Sequence, residues 1–242
     1  MSIVSKSCIF YLVNEHPIHL RRLKSSLKLL SNNFTKKFPY PIVFGHEGIS
    51  SAVADFITSA APRESKLYFH QVDFKLRNYP DSILKQIPEK FKWDGMWDTG
   101  AYFSMGYRHM CRLFSGGLYL DSFFENAEYI MRLDCDSYIL DSVKEDPFQV
   151  MADRDAVYGY VDTFNDDPNV ISGLYEFCNR IAPTDRDIKH NGAYETNFFV
   201  EKCEWFRSDK WMNFFRSIDD SGNIYIKRWG DAPIKYQGVN RL

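Results

Sequence analysis

The sequence predicts an α/β fold with a mostly parallel central sheet flanked by helices. Three observations carry that expectation. Apolar runs of strand length recur through the first 72 residues, and stretches of helical periodicity alternate with them. Neither an internal repeat nor a low-complexity segment interrupts the pattern. The opening run, 8–13 (CIFYLV), is continuous, aromatic and β-branched, as a strand buried on both faces requires. Asn14-Glu15-His16-Pro17 ends it. Ile18, Leu20, Leu23, Leu27 and Leu30 follow at helical spacing, with Arg21, Arg22, Lys24 and Lys28 between them. Pro39 and Pro41 punctuate; 42–44 is a second strand, 51–60 a second helix and 67–72 a third strand. A β-α-β-α-β opening implies right-handed crossovers and parallel neighbours.

Further along, 73–98 reads as irregular with one short helix, and 102–116 as a helix. Strands are expected at 129–135, 156–161 and 198–200, helices at 169–180 and 209–219, a polar loop at 183–192 and a turn at 221–223. The whole chain, 1–242, reads as one catalytic domain, with 1–136 as its nucleotide-sugar-binding half and 137–242 as its acceptor-side half.

With 242 residues the chain can bury a sizeable core. Apolar residues are 45% and charged residues 26%, ordinary for a water-soluble domain. The net charge of −2 supplies no global field for nucleic acid. Charge is unevenly spread: residues 1–121 hold 16 Lys and Arg against 10 Asp and Glu, and residues 122–242 hold 14 against 22. A basic first half suits phosphates, an acidic second half a metal and sugar hydroxyls. Five cysteines without a CxxC pair argue against a disulfide framework or a zinc site, and for reduced thiols. No stretch has the roughly 18–20 apolar residues of a membrane span, and no signal peptide precedes the first strand. These features suit a soluble or cytoplasmic protein, or a lumenal one cut from an anchor.

Chemistry concentrates in three places. Asp134-Cys135-Asp136 follows the apolar lead of a strand, so two carboxylates converge where open α/β sheets place their ligand crevice. Two hard oxygen donors there suit Mn²⁺ or Mg²⁺ bridging a diphosphate. In Tyr107-Arg108-His109-Met110-Cys111-Arg112, Arg108 and Arg112 share a helical face that could meet phosphates, or be solvated. In Arg228-Trp229-Gly230-Asp231-Ala232-Pro233, Asp231 could receive an acceptor hydroxyl and Arg228 a phosphate; the same residues also read as a helix start.

These blocks carry a resemblance. Residues 107–116 resemble the YRHMCRFxSG stretch of the Kre2/Mnt1-like α-1,2-mannosyltransferases (glycosyltransferase family 15), and 128–136 resemble their YYWRVEPD segment. Asn197-Phe198-Phe199-Val200 is similar to their SNFEV, and 214–231 to FFxYLDxxGGFYYERWGDAP. Order is kept, and spacings agree through 102–149 and 190–233. Residues 73–98 and 162–190 match poorly.

The resemblance implies the GT-A nucleotide-diphospho-sugar transferase fold and retaining, Mn²⁺-dependent transfer. It favours GDP-mannose over a UDP-sugar as donor, and a glycan or glycoprotein acceptor. It puts Asp134 and Asp136 at the metal, Tyr107 and Asp231 at the reacting sugars, and Golgi-lumen relatives behind a membrane anchor. Three departures accompany it. The acid of SNFEV is Phe199 here; Glu195, at the same strand parity as Phe199, is the local carboxylate that could replace it. No histidine follows His190, whereas the family places a metal-binding one after RWGDAP. The basic residue after the family's first strand is absent from Leu12-Val13-Asn14-Glu15. A nucleotide-sugar-binding module without turnover is therefore the alternative. A nucleotidyltransferase would want a Gly-rich basic loop after the first strand, which is not there.

Overall fold

The structure is a computed structural model that describes residues 6–89 and 104–242. In chain order the elements begin with β1 (Ser7–Leu12), α1 (Pro17–Leu30), β2 (Ile42–His46), α2 (Ser51–Ala60) and β3 (Leu67–Gln71). Next come α3 (Asp81–Leu84), α4 (Met105–Ser115), β4 (Tyr129–Leu133), α5 (Pro147–Asp153), β5 (Tyr158–Tyr160), β6 (Thr163–Asn165) and α6 (Leu174–Ile181). The chain ends with β7 (Gly192–Tyr194), β8 (Phe198–Lys202), α7 (Cys203–Arg207), α8 (Asp209–Asp220), α9 (Asn223–Ile226) and α10 (Asp231–Arg241). The expectations for residues 90–103 lie outside the described residues.

Two compact units form. One comprises Met1–Asp73, Ser122–Val161 and Thr196–Glu204; the other Phe74–Asp121, Asp162–Glu195 and Trp205–Leu242. The expected division at residue 136 does not match them, because Thr196–Glu204 returns to the first unit to pair its sheet.

In the first unit a six-stranded sheet runs in the order β3-β2-β1-β4-β8-β5. β1, β2, β3 and β4 are parallel neighbours, while β8 lies antiparallel to both β4 and β5. β1 sits at the centre, and Cys8 to Tyr11 are fully buried. That is why its sequence is an unbroken apolar run rather than an alternating one. Leu23, Leu27 and Leu30 of α1 and Ile57 of α2 pack with Ile9, Tyr11, Ile42, Phe44, Met131 and Val200 into one core. Pro17 stands in the first turn of α1, where its missing N–H costs nothing. The Ser50 hydroxyl accepts the Val53 N–H and starts α2.

The second unit holds a small antiparallel pair, β6 and β7, in a region where the sequence suggests only a loop before 192. Gly173, with φ of 75°, makes a left-handed step, so α6 begins at Leu174 instead of 169. The chain end, 224–240, to which the sequence assigns no element, carries the end of α9 and, after a break at 227–230, α10. α10 buries Ile234 and Gly238 but also Lys235, Gln237 and Arg241, which hides its inward face from a hydrophobicity reading. The Lys235 ammonium lies 4.6 Å from the Phe206 ring centre. No described helix is long and apolar enough to cross a membrane, and none of the five cysteines forms a disulfide.

Asp219 of α8 anchors this unit. Only 3% exposed, it accepts Arg112 Nε at 2.8 Å and Nη2 at 2.9 Å, Arg77 Nη1 at 3.0 Å and the Tyr79 hydroxyl at 3.0 Å. Burial, then Asp219, pushes the Tyr79 phenol far above its ordinary range, so it stays a donor. Removing the acid strands two guanidinium groups. Asp219→Ala is expected to cost about 3–5 kcal/mol in urea denaturation. Asp219→Asn, which keeps the shape without the charge, should fall between it and the wild type.

Candidate functional site

Tyr129 to Leu133 form β4, and the chain turns as it leaves the sheet's carboxyl edge. Asp134, Cys135 and Asp136 lie in that turn, because β4 ends at Leu133, two residues before the end the sequence suggests. Their arrangement is therefore set by turn hydrogen bonds and not by strand parity alone. The Asp134 N–H donates to the Asn197 carbonyl at 3.0 Å and lies 3.2 Å from the Ser137 hydroxyl. That hydroxyl donates to the same Asn197 carbonyl at 2.6 Å. From below, Ser26 of α1 donates to the Ser137 carbonyl at 2.6 Å and pairs with the Tyr11 hydroxyl at 2.8 Å. A helix, two strands and a turn are thus tied at one point.

Each carboxylate has its own arginine. Arg132, 4% exposed, donates from Nε to Asp134 Oδ1 at 2.8 Å and from Nη2 to Oδ2 at 3.3 Å. Its guanidinium lies 5.6 Å from the centre of the Phe199 ring, the residue opposite it across β4 and β8. Arg22 of α1 donates to Asp136 Oδ2 at 2.8 Å. Cys135 turns the other way and donates from Sγ to the Leu12 carbonyl at 3.4 Å. Asp134 and Asp136 are hard oxygen donors at a fixed edge, a fit for Mn²⁺ or Mg²⁺. Among the described residues no group of three or more His, Cys, Asp and Glu could hold an ion. Such an ion must complete its shell with phosphate oxygens and water, which is how Mg²⁺ is usually bound beside nucleotides.

In the second unit, the Ser104 hydroxyl accepts the Tyr107 N–H at 3.1 Å and starts α4. The Tyr107 hydroxyl accepts Arg228 Nη2 at 2.9 Å, and that guanidinium lies 4.7 Å from the Tyr107 ring centre. Arg228 has φ of 62°, a left-handed backbone that costs on the order of 1–3 kcal/mol in a non-glycine residue. Trp229 secures the next step by donating to the Ser172 carbonyl at 3.0 Å. The block is also a helix start, as the sequence allowed. Gly230 precedes α10, and Asp231, 3% exposed, stands in its first turn, where the helix dipole favours an anion. Asp166, in a stretch that matches no motif, is electrostatically coupled to Arg228 and Asp231. Burial first of all raises its carboxyl above the ordinary range. No sequence signal singles it out.

Two expectations need correction. Arg108 and Arg112 do not present a shared phosphate-facing surface. Arg108 is fully buried and donates from Nη1 to the Tyr225 carbonyl at 2.8 Å and the Pro88 carbonyl at 3.1 Å. Arg112 is spent on Asp219. Their i, i+4 spacing serves the packing of α4. Glu195 does not share a strand with Phe199 either. It follows β7, with its N–H on the Asp162 carbonyl at 3.0 Å, and a turn separates it from β8. Phe199 itself is fully buried, against Arg132 and Tyr158. Arg22 and Arg132, which hold the acidic pair, stood out in the sequence only as a helical cation and a charge within a strand.

The chain matches the family described as glycolipid 2-alpha-mannosyltransferase over residues 3–242. It is 26% identical over 247 residues to the glycolipid 2-alpha-mannosyltransferase of Saccharomyces cerevisiae, covering 95% of this chain and 55% of that protein. The chain spans a little over half the length of the curated relatives it matches. The fold is that of the mannosyltransferase Ktr4p from S. cerevisiae solved with GDP (TM-score 0.79, 21% identity, 98% of this chain and 67% of that one). Core-mannan synthase A from Aspergillus fumigatus, solved in a Mn/GDP form, gives a TM-score of 0.75 at 21% identity over 98% of this chain and 70% of that one.

The Cys135 thiol tests the acidic turn directly. Burial, then Asp134 and Asp136, push it up to about 12, so it stays protonated at neutral pH. Iodoacetamide at pH 8, followed by peptide mass spectrometry, should label Cys135 at least about a hundredfold more slowly in the folded protein than in urea.

Proposed function

The chain belongs to the glycolipid 2-alpha-mannosyltransferase family, and on that premise we propose that it transfers a hexose, mannose before others, from GDP-mannose to a hydroxyl of a glycan or glycoprotein. The observation that carries the proposal is the acidic turn: two carboxylates fixed at the carboxyl end of β4 by Asn197, Ser137 and Ser26. A divalent ion bound there, Mn²⁺ or Mg²⁺, would neutralise the charge that builds on the departing diphosphate. The GDP and Mn forms of the similar mannosyltransferases support that choice of donor and ion.

In this reading the bond from the anomeric carbon to the diphosphate oxygen breaks, and its electron pair leaves with the nucleotide. The acceptor oxygen bonds to the anomeric carbon and gives up its proton. Asp134, oriented by Arg132, and Asp136 would hold the ion. Tyr107, oriented by Arg228, and Asp231 position the sugar and the acceptor hydroxyl. Phe199 offers no nucleophile, so retention proceeds through Glu195 or on the leaving-group face, where the departing phosphate oxygen takes the acceptor's proton. In this reading Arg108 and Arg112 serve the packing of α4, on the Tyr225 and Pro88 carbonyls and on Asp219. The fixed geometry supplies positioning and electrostatic stabilisation, the main sources of rate in such a step. One observation favours a second reading, a nucleotide-sugar-binding module without turnover: a buried phenyl ring stands where the similar family has its acid.

The test is release of nucleoside diphosphate from a panel of GDP- and UDP-sugars with Mn²⁺ and no acceptor. Slow release of GDP from GDP-mannose is expected, abolished by EDTA and reduced about a hundredfold or more by Asp134→Ala or Asp136→Ala. Thermal stabilisation by one donor without any release would establish the binding module instead.

A further inference from the structure

The two arginines on the acidic turn are not equivalent. Arg132 is buried, bonded twice to Asp134 and placed over Phe199, so it belongs to the fold. Arg22 makes one bond to Asp136, and the two side chains are 49% and 48% exposed. Exposed pairs of this kind are worth roughly 0–1 kcal/mol. A divalent cation taking Asp136 would therefore displace Arg22 at little cost.

We infer that Arg22 is a binding residue for the diphosphate of the donor, held on Asp136 until a metal takes that carboxylate; the inference rests on the nucleotide-sugar reading above. The place Arg22 would move to follows from ordinary metal chemistry. A metal held by Asp136 would draw a phosphate to the neighbourhood of the same carboxylate. A guanidinium already at 2.8 Å from Asp136 reaches a phosphate there by changing rotamer, without any movement of α1. Its planar fork matches phosphate oxygens as well as it matches a carboxylate.

The surroundings fit an anion. His16, His19 and Arg22 follow each other at threes through the start of α1, beside the carboxyl end of β1. The His19 ring bonds Asn14 Oδ1 at 3.0 Å and lies 5.0 Å from the His16 ring. Burial, then His16 and Arg22, hold the His19 imidazole below its ordinary range, and the opposing pull of Asp136 is weaker.

The experiment separates the two halves of the role. Mn²⁺ binding to the protein alone is followed by loss of the free-ion EPR signal. GDP binding at saturating Mn²⁺ is followed by calorimetry. Arg22→Gln is expected to tighten Mn²⁺ alone by up to about fivefold, because a competitor is gone. The same variant should weaken GDP about tenfold or more, and Arg22→Lys should restore part of the loss. Asp136→Asn should lose Mn²⁺ whatever residue stands at 22. A merely structural arginine cannot move the two affinities in opposite directions, so GDP binding unchanged in Arg22→Gln, or both ligands weakened together, overturns the role. Wild-type protein that binds neither Mn²⁺ nor GDP would instead remove the nucleotide-sugar reading, and this inference with it.

Discussion

Strand β4 must be paired along both edges, and most of the first unit follows from how that is done. Its backbone polar groups lie deep in the sheet, where an unmet N–H or carbonyl costs on the order of 1–3 kcal/mol. β1 satisfies one edge in parallel and β8 the other in antiparallel register. The reversed direction of β8 has a local result. Its leading end, not its trailing end, lies beside the carboxyl end of β4, so Asn197 is there to receive Asp134 and Ser137. With a parallel neighbour the acidic turn would lack that carbonyl.

The same strand explains the charges. Burying Arg132 is tolerable because Asp134 accepts it twice and the Phe199 ring face lies beneath it. Where the similar family's SNFEV has an acid this chain has the Phe199 ring, and Arg132 pairs with the Asp134 carboxylate.

Most of the fold was readable because apolar runs buried on both faces have few other solutions. β1, α1, α2 and β3 lie within a residue or two of their expected places. What was not readable involves residues whose pairing is distant in sequence. α10 looks polar until Lys235 is found over aromatic rings and Arg241 bonded to Gln237. β6 and β7 are three residues each, too short to carry a period. Arg108 and Arg112 had a plausible spacing for phosphate, but spacing cannot reveal that Asp219, 107 residues away, claims one of them. Asp134 and Asp136 can be singled out because a motif sits where a strand ends. Arg22 was passed over because a cation between leucines is ordinarily solvated.

The division of the chain into two units has a consequence for how the protein can be cut, built or inherited. The polypeptide passes from one unit to the other five times, at 73/74, 121/122, 161/162, 195/196 and 204/205. No contiguous fragment consists of either unit alone. A ribosome cannot finish the first before most of the second has been made, because β8, which closes the sheet, comes only at 198–202. Gene fusion or exon exchange cannot lend the first unit to another protein as a single cassette. The nine residues from Thr196 to Glu204 work as a keystone: they arrive late, join what the first two-thirds of the chain has prepared, and set the acidic turn only then.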